Sequence, residues 1–299
     1  MALTPTQTLT AGNLNVSIAP DCGGSISRFW HNGDADLELL RPASAEDIAA
    51  NSPLGMASFP LAPFSNRIRD GKFTFDGKSI SLPLNFGDHP HAIHGHGWQA
   101  RWSVLAQSDR ALTLSYRHTA DLWPWSYMAL QQFDLSPQKL SLTLSVRNDS
   151  DSDMPAGLGF HPYFPRTPGS RISANVDQIW SVDDEVMPLE RVAPGDDNDP
   201  NKGIKVNAVA LDNGYTGWQR EAVITWPERN AGLKMTATAP LNSLVVFTPP
   251  DEGFFCVEPV SNCTDAFNLA AAGDTDTGLH VITPGETLSV TMNLEPELS

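Results

Sequence analysis

The chain has 299 residues and a formal net charge of −16, with 19 Lys and Arg residues against 35 Asp and Glu residues. Binding to a phosphate backbone requires clustered Lys and Arg, so this composition excludes nucleic acid as a partner and disfavours an anionic membrane surface. The overall negative field also disfavours phosphorylated metabolites, which leaves a neutral small molecule as the ligand that fits best.

Cysteine content and the N-terminal segment indicate the compartment. The three cysteines, Cys22, Cys256 and Cys263, are few and odd in number, so no disulfide framework is expected. Residues 1–12 have neither the basic segment nor the apolar run of a secretory signal. No stretch approaches the roughly 18 consecutive apolar residues of a membrane-spanning helix. We therefore expect a cytoplasmic protein, either a monomer or a homodimer.

Apolar and polar residues alternate along most of the chain, and a period of two predicts strands with one buried face. The alternating apolar positions are, in chain order, Leu14, Val16 and Ile18; Leu112, Leu114 and Tyr116; Leu140, Leu142, Leu144 and Val146; Leu233 and Met235; Val245 and Phe247; and Leu288, Val290, Met292 and Leu294. Helical signals are weak, with one or two turns predicted near residues 44–51. Because the strands recur without a linker, we predict an all-β protein, a large antiparallel β-sandwich that forms a single domain over residues 1–299.

Two segments between these strands have predictions of their own. In residues 73–82 (FTFDGKSISL), Asp76-Gly77 separates two alternating runs, which is the pattern of a tight hairpin. The stretch Val192–Lys205 is polar and rich in turn-forming residues. Alternation resumes after it without a change in composition, so we predict a long surface loop there rather than a domain boundary.

The segment Pro60–Trp98 contains four of the eight histidines: His89, His91, His94 and His96. Three interpretations compete, namely a metal site, a hydrogen-bonding wall for a polyhydroxylated ligand, and solvated loop histidines. In an extended segment His94 and His96 would share a face, which is a known metal-ligand spacing. Solvation is favoured for His89 and His91, whereas a functional role is favoured for His94, because its neighbouring glycines permit close approach of a ligand. The roles of His89, His91 and His96 stay open.

Two further segments supply a candidate acid and a candidate base. His161 lies in GLGFHPYFP, where prolines and aromatic residues would fix the orientation of an imidazole suited to general acid catalysis. Glu258 follows the apolar run of FFCV and precedes Pro259, so partial desolvation should raise the pKa of its carboxyl group toward that of a useful base. The alternatives are a core histidine bonded to a backbone carbonyl and a solvated glutamate at a strand end.

Polar binding residues are predicted at two more places. The adjacent Asn66 and Arg67 lie upstream of the histidines, and Asp212 lies in ALDNGYTGW. An Asp-Asn-Gly string is most often a simple turn, and that alternative stays open for Asp212. Trp218, in the same stretch, is a candidate for an apolar face against a sugar ring.

Four segments in this order, FSNRIRDGKFTFDG, HAIHGHGW, GLGFHPYF and CVEPVSNCTDAFN, resemble the aldose 1-epimerase (galactose mutarotase) family over nearly the whole chain. The resemblance implies a β-supersandwich with its site in a groove across one sheet, and it implies no metal or other cofactor. The resemblance implies that Glu258 is the catalytic base, that His161 is the catalytic acid and that His94 assists at the ring oxygen. It also implies that Asn66 and Arg67 contact the sugar and that Asp212 holds a sugar hydroxyl.

Two departures from the family pattern concern the preferred sugar. His96 stands where the family often has a second glycine, and Pro259-Val260 follow Glu258 where the galactose enzyme has Thr-Gln. We therefore expect an aldose 1-epimerase that interconverts the α and β anomers of a free aldohexose resembling galactose or glucose. In this reaction Glu258 and His161 would face each other across a space about one pyranose ring wide.

Other functions remain as alternatives to this prediction. A hexose-6-phosphate 1-epimerase would need additional cationic side chains around the site. A non-catalytic carbohydrate-binding sandwich would need aromatic platforms but no paired acid and base. A glycoside hydrolase would need a second carboxylate, for which Asp212 is the candidate. A metal-dependent isomerase would use His94 and His96 as ligands.

Overall fold

A computed structural model describes residues 5–298, and the regular secondary structure there consists mainly of antiparallel strands. In chain order the strands are β1 (Gln7–Ala11), β2 (Leu14–Ala19), β3 (Ser25–His31), β4 (Leu37–Glu38), β5 (Ser58–Leu61), β6 (Arg67–Ile68), β7 (Lys72–Phe75), β8 (Lys78–Ser81), β9 (Ala92–Ile93), β10 (Ser103–Gln107), β11 (Ala111–His118), β12 (Tyr127–Leu135), β13 (Leu140–Asn148), β14 (Met154–Ala156), β15 (Gly159–Pro165), β16 (Arg171–Ala174), β17 (Gln178–Val182), β18 (Pro188–Val192), β19 (Ile204–Lys205), β20 (Asp212–Thr216), β21 (Glu221–Trp226), β22 (Ala231–Ala237), β23 (Ser243–Phe247), β24 (Phe254–Val260), β25 (His280–Ile282) and β26 (Thr287–Leu298).

Two large sheets contain most of these strands. Within residues 5–298, the first sheet has eleven strands in the order β1-β2-β3-β5-β15-β24-β23-β20-β17-β18, with β4 paired to β3. The second sheet has nine strands in the order β10-β11-β12-β13-β26-β22-β21-β16-β19. Three smaller ladders pair β14 with β25, β6 with β9, and β7 with β8. The predicted all-β antiparallel sandwich is confirmed.

The main core follows from the alternation in the sequence. On β13, Leu140, Leu142, Leu144 and Val146 are buried while the intervening residues are more exposed. The same pattern holds for alternate positions of β11, β12 and β26, so these strands of the second sheet each turn one apolar face inward. These faces join buried residues of the first sheet in one continuous apolar cluster, which ties the two sheets together.

Helical structure is confined to short segments. The helix predicted near residues 44–51 is α1 (Ala45–Ala50), whose first turn is capped by the Ser44 hydroxyl accepting from the Asp47 backbone N–H at 3.0 Å. A second helix, α2 (Ala266–Ala271), was not predicted. Single 3-10 turns occur at Pro53–Gly55, Arg69–Gly71, Val206–Ala208 and Pro227–Arg229. Across the described part of the chain, no helix has the length and apolar character needed to span a membrane.

Both local predictions agree with the structure. Phe73 pairs with Ile80 across the β7–β8 hairpin, with Asp76-Gly77 in its turn. The predicted surface loop lies between the end of β18 at Val192 and the short strand β19.

Candidate active site

A cavity of about 150 Å³ lies against β15, β24, β23 and β20, which are four consecutive strands of the first sheet. His161 and Tyr163 of β15 and Glu258 of β24 face this cavity. The residues that alternate with them, Phe160, Phe164, Phe255 and Val257, belong to the main core. All six site residues predicted from the sequence line this single cavity: Asn66, Arg67, His94, His161, Asp212 and Glu258. The strands therefore bring together residues that lie up to 192 positions apart in the sequence, from Asn66 to Glu258.

The side chains of His161 and Glu258 meet on adjacent strands. The antiparallel register that pairs Tyr163 with Cys256 sets His161 directly opposite Glu258. Each of the two residues precedes a proline, which restricts it to extended backbone and so keeps it in its strand. His161 Nε2 lies 3.3 Å from Glu258 Oε1. Both residues are buried, with 8% and 3% of their surface exposed.

Burial determines the ionisation of this pair, because desolvation penalises the charged form of both groups. It raises the pKa of the Glu258 carboxyl well above its ordinary value; the negative charge of Asp212 adds to this increase and the positive charge of Arg67 opposes it. Burial lowers the pKa of His161 to about 3, and the positive charge of Arg41 acts in the same direction. Burial therefore favours the neutral state of the pair, in which Glu258 carries the single proton.

This contact differs from the sequence-based expectation of a gap one pyranose ring wide between His161 and Glu258. The two side chains touch because they project from directly opposed positions of neighbouring strands. The sequence alone does not reveal that β15 and β24 are neighbours, so it could not give this separation.

His94 approaches His161 from the turn that follows β9. Both His94 and Asn66 have left-handed backbone conformations, with φ of 61° and 59°. Each donates a backbone N–H to the other: His94 N to Asn66 O at 3.0 Å, and Asn66 N to His94 Nδ1 at 3.1 Å. Because Nδ1 accepts a hydrogen bond, the proton of the neutral ring is on Nε2. Burial, with the neighbouring His161 and Arg67, holds the pKa of His94 well below its ordinary value.

The guanidinium of Arg67 is held by three neighbours. Nη2 donates to Asp212 Oδ2 at 3.0 Å, Nη1 to Asn66 Oδ1 at 3.2 Å, and Nε to His89 Nε2 at 3.3 Å. This network pairs Arg67 with Asp212 across 145 residues of sequence. The prediction that His89 is a solvated loop histidine is therefore wrong, because its ring orients the arginine.

The other two histidines of the cluster also differ from expectation. His91 is completely buried; its Nδ1 accepts from the Asp70 backbone N–H at 3.1 Å, and its Nε2 lies 3.4 Å from Glu185. Solvation of His91 is thus a wrong prediction. His94 and His96 do not share a face, because the left-handed turn at His94 interrupts the extended backbone and His96 stacks on His118 instead. A metal held jointly by His94 and His96 has no geometric basis.

The aromatic side chains that line the cavity do not include the predicted Trp218. Trp218 is buried in the main core, where its Nε1 donates to Glu221 O at 2.9 Å, so the proposal of a sugar-facing Trp218 is wrong. The aromatic residues that line the cavity are Phe86, Trp98, Tyr163 and Phe247. Tyr163 could have been found, because it lies two positions after His161 on the same strand face.

The ring of His161 packs against two aromatic rings. Phe59 lies 4.5 Å away and Tyr163 lies 4.6 Å away, measured between ring centroids. The guanidinium of Arg41 lies 4.0 Å from the centroid of Tyr163 and donates to the carbonyl of Met56 at 2.6 Å. This stack fixes the plane of the imidazole with respect to Glu258.

A third potential ligand atom lies beside the acid–base pair. Ligand atoms of His161, Cys256 and Glu258 are all within 4.8 Å of one another. Burial raises the pKa of the Cys256 thiol well above its ordinary value, with a further increase from Glu258. The thiol is therefore protonated at neutral pH and is a poor metal ligand in that state.

Comparisons with known proteins agree with this architecture. The profile of the family described as aldose 1-epimerase matches residues 5–295. The uncharacterized protein YphB of Escherichia coli (strain K12) is 31% identical over 298 residues, covering 97% of this chain and 98% of YphB. The crystal structure of a putative aldose 1-epimerase from Escherichia coli K12 has a TM-score of 0.89 at 30% identity, covering 99% of both chains. A galactose mutarotase-like protein from Clostridium acetobutylicum has a similar fold, with a TM-score of 0.87 at 22% identity over 98% and 95% of the chains.

The two packed sheets and the cavity on the first of them define a galactose mutarotase-like β-sandwich. Within that class, the chain belongs to the aldose 1-epimerase family. Family membership supports a mutarotase-like carbohydrate epimerase.

Proposed function

We propose that the protein is an aldose 1-epimerase that acts on a free aldohexose resembling galactose or glucose, with Glu258 as base and His161 as acid. The observation that carries this proposal is the 3.3 Å contact between His161 Nε2 and Glu258 Oε1 in a buried cavity. Anomerisation requires proton removal from the C1 hydroxyl and proton delivery to the ring oxygen. Because both oxygens are bonded to C1, an acid and a base side by side can reach them together.

The reaction begins with the single proton of the pair. As the sugar hydroxyls enter the cavity, this proton passes from Glu258 Oε1 to His161 Nε2, which yields a carboxylate and an imidazolium. The carboxylate takes the C1 hydroxyl proton, the imidazolium protonates the ring oxygen, and the C1–O bond of the ring breaks. Rotation about C1–C2 and closure on the other face of the aldehyde reverse both transfers, so the protein ends with its original proton. Each transfer contributes roughly 10² to 10⁴-fold to the rate.

The remaining predicted residues bind and orient the sugar in this proposal. His94 presents an Nε2–H donor toward the ring oxygen beside His161, since its Nδ1 is occupied by the Asn66 N–H. Arg67 and Asp212 supply a donor and an acceptor whose positions are fixed by their own ion pair. Trp98 and Phe247 offer apolar surface to the C–H groups of the ring.

Charge in the cavity favours a free sugar over a phosphorylated one. Among the described residues that line it, Arg67 is the single cationic side chain, and Asp212 already neutralises it at 3.0 Å. A hexose-6-phosphate 1-epimerase would need cationic groups for the phosphate beyond this pair. The buried acid–base contact likewise favours an enzyme over a non-catalytic binder. The ion pair of Asp212 disfavours a glycoside hydrolase, because it removes that residue from the role of second catalytic carboxylate.

Polarimetry tests the proposal directly. Freshly dissolved α-glucose, α-galactose, arabinose, xylose and glucose 6-phosphate are followed with and without protein, and the spontaneous rate is subtracted. We expect acceleration for one or both free hexoses and little for the phosphate. Acceleration for no sugar would reject the enzyme proposal, and a preference for glucose 6-phosphate would favour the phosphorylated alternative. A cytoplasmic location and a monomeric or homodimeric state stay predictions.

A further inference from the structure

Arg41, in the segment between β4 and α1, packs behind the cavity wall that carries the proposed catalytic acid. Its guanidinium lies 4.0 Å from the ring centroid of Tyr163 and 4.7 Å from that of Phe254. Its backbone N–H donates to the Tyr163 carbonyl at 2.8 Å. Tyr163 in turn stacks on His161, with the two ring planes inclined by 19°. A single aromatic ring therefore connects this arginine to the acid.

The same guanidinium holds the segment that leads into β5. Its Nη2 donates to the carbonyls of Leu54 and Met56, each at 2.6 Å. Phe59, three residues after Met56, is the second ring that packs against His161. Arg41 therefore anchors the supports of both aromatic rings that contact the acid.

The charge of Arg41 acts on a site whose other titratable groups are neutral near pH 7. The titratable groups that face His161 are, by element, Tyr163 on β15, Glu258 and Cys256 on β24, and His94 on the turn after β9. Burial raises the pKa of the first three and lowers the pKa of the fourth, which favours the neutral form of each. The charges of Arg67 and Asp212 oppose each other in their ion pair. Burial also lowers the pKa of Arg41, but a guanidinium stays protonated in proteins.

We propose that Arg41 is a positioning residue of the active site, which holds Tyr163 and the strand of Phe59 against His161. The proposal rests on the proposed epimerase function, in which the imidazolium must reach the ring oxygen from one orientation. A misplacement of about 1 Å can reduce a rate by about 10²-fold. The positive charge acts in the same direction, because it disfavours the imidazolium and so makes it a stronger acid once it has formed.

Steady-state polarimetry on the full chain compares Arg41→Met with Arg28→Met. Methionine keeps an unbranched stem but has neither the donors nor the charge. Arg28→Met is the matched control, because it removes a guanidinium that lies 4.2 Å from the ring centroid of Trp30, outside the cavity. We expect Arg41→Met to lower kcat about 10 to 100-fold with a smaller change in KM, and the control to leave both constants unchanged. Arg41→Lys keeps the charge without the planar fork, so its kcat should be intermediate.

The pH profile and a double-mutant cycle distinguish positioning from a general loss of structure. As the pH falls, His161 takes up a proton and the resting pair loses its base. Removing the charge of Arg41 raises the pKa of His161, so the acidic limb of kcat/KM should move to higher pH in Arg41→Met and stay in place in Arg41→Lys. Because Arg41 acts through Tyr163, the losses in kcat caused by Arg41→Met and Tyr163→Leu should be less than additive.

Nuclear magnetic resonance of isotope-labelled histidine rings tests the orientation of His161 without sugar. The signals of His161 are identified by their absence from His161→Asn, and the ring current of the stacked Tyr163 shifts them. Arg41→Met should move these signals, whereas Arg28→Met should not. Arg41→Lys answers the same questions if Arg41→Met does not fold.

Three results would overturn the proposal: unmoved His161 signals, a wild-type kcat in Arg41→Met, or additive losses in the double-mutant cycle. If the wild type does not catalyse mutarotation, the proposed function fails. The histidine signals then still decide whether Arg41 positions the ring.

Discussion

At the scale of single residues, the cost of burying a carboxyl group links function to stability in Glu258. The group is 3% exposed, so water solvates its charged form poorly in the folded protein. Its pKa is therefore raised in the folded protein, whereas in the unfolded chain it ionises near its ordinary value of 4.5. The raised pKa makes the carboxylate a stronger base for catalysis. It also lowers the stability of the folded protein as the pH rises.

We predict that Glu258→Gln stabilises the protein at alkaline pH while removing activity. The wild-type folded state binds more protons than the unfolded state above pH 4.5, so its stability falls as the pH rises toward the raised pKa. The glutamine amide does not titrate, so the free energy of unfolding of the variant should exceed that of the wild type by an amount that grows by up to about 1.4 kcal/mol per pH unit. Urea denaturation at pH 5 and pH 8 measures this, with exposed Glu190→Gln as the control. An advantage that is equal at both pH values would refute the raised pKa.

A second prediction concerns substrate binding by Arg67. Arg67→Ala should raise KM by about 10 to 100-fold with little change in kcat, because it removes hydrogen bonds to a charged group that form in both ground and transition states. His89→Gln, which retains the guanidinium and loses only its Nε partner, should have a smaller effect. Steady-state kinetics by polarimetry separates the two constants. A loss confined to kcat would assign Arg67 to the chemistry instead.

The sequence located some of these residues and missed others for a physical reason. His161 and Glu258 are recognisable because prolines and apolar residues frame each of them locally. The contacts of His89 with Arg67, and of His96 with His118, depend on how separate segments meet. Local sequence carries no signal for such contacts, so the solvated alternative was favoured for His89.

At the scale of elements, the turn after β9 positions His94 through its backbone. Gly95 has φ of +68°, and the N–H groups of His96 and Gly97 both donate to Ala62 O at 2.9 Å. A Cβ on Gly95 would lie 2.3 Å from that same carbonyl oxygen. The turn therefore requires glycine both for its conformation and for its close approach to Ala62.

We predict that Gly95→Ala destabilises the protein and reduces activity by displacing His94. The matched control is Gly77→Ala in the β7–β8 turn, where φ is +71° but no atom lies within 4 Å of the added Cβ. Gly77→Ala should cost only the left-handed backbone penalty of about 1 to 2 kcal/mol and leave activity intact. Gly95→Ala should cost more, as measured by urea denaturation. Equal costs for the two variants would show that the contact with Ala62 is unimportant.

Alternation predicted the strands with one exposed face but not those buried on both faces. All seven residues of β15 are buried, as are six of the seven in β24, so these two strands are nearly continuous buried runs without a period of two. Helix α2 has six residues, too few for a 3.6-residue period to emerge, and it begins after Asp265 in a left-handed conformation. The elements that carry the acid and the base are thus the ones that alternation detects least well.

At the scale of the whole molecule, sheet order depends on pairings between distant segments. Leu140 of β13 pairs with Leu294 of β26, and Ser65 bonds through its hydroxyl to Asn262 Oδ1 at 2.9 Å. The fold class follows from composition and alternation, whereas the order of the strands depends on which edges meet. This order places β15 beside β24, so it also determines the separation of the acid and the base.

The shared core leads to a prediction about cooperativity. Since residues of both sheets belong to one apolar cluster, we expect the predicted single domain over residues 1–299 to unfold in one transition. Tryptophans occur in both sheets, including Trp180 in β17 and Trp226 in β21. Urea curves from tryptophan fluorescence and far-ultraviolet circular dichroism should therefore coincide. Separate midpoints would indicate that the sheets unfold independently and that the domain prediction is wrong.

The measurement that tests the central claim most directly compares the mutarotation rates of four proteins on the preferred free hexose. The proteins are the wild type, Glu258→Gln, His161→Asn and the folded control Glu190→Gln. The account predicts that each of the two site variants loses about 10² to 10⁴-fold in kcat/KM while the control is unaffected. Near-normal mutarotation by either site variant would contradict the assignment of that residue to the proton transfers.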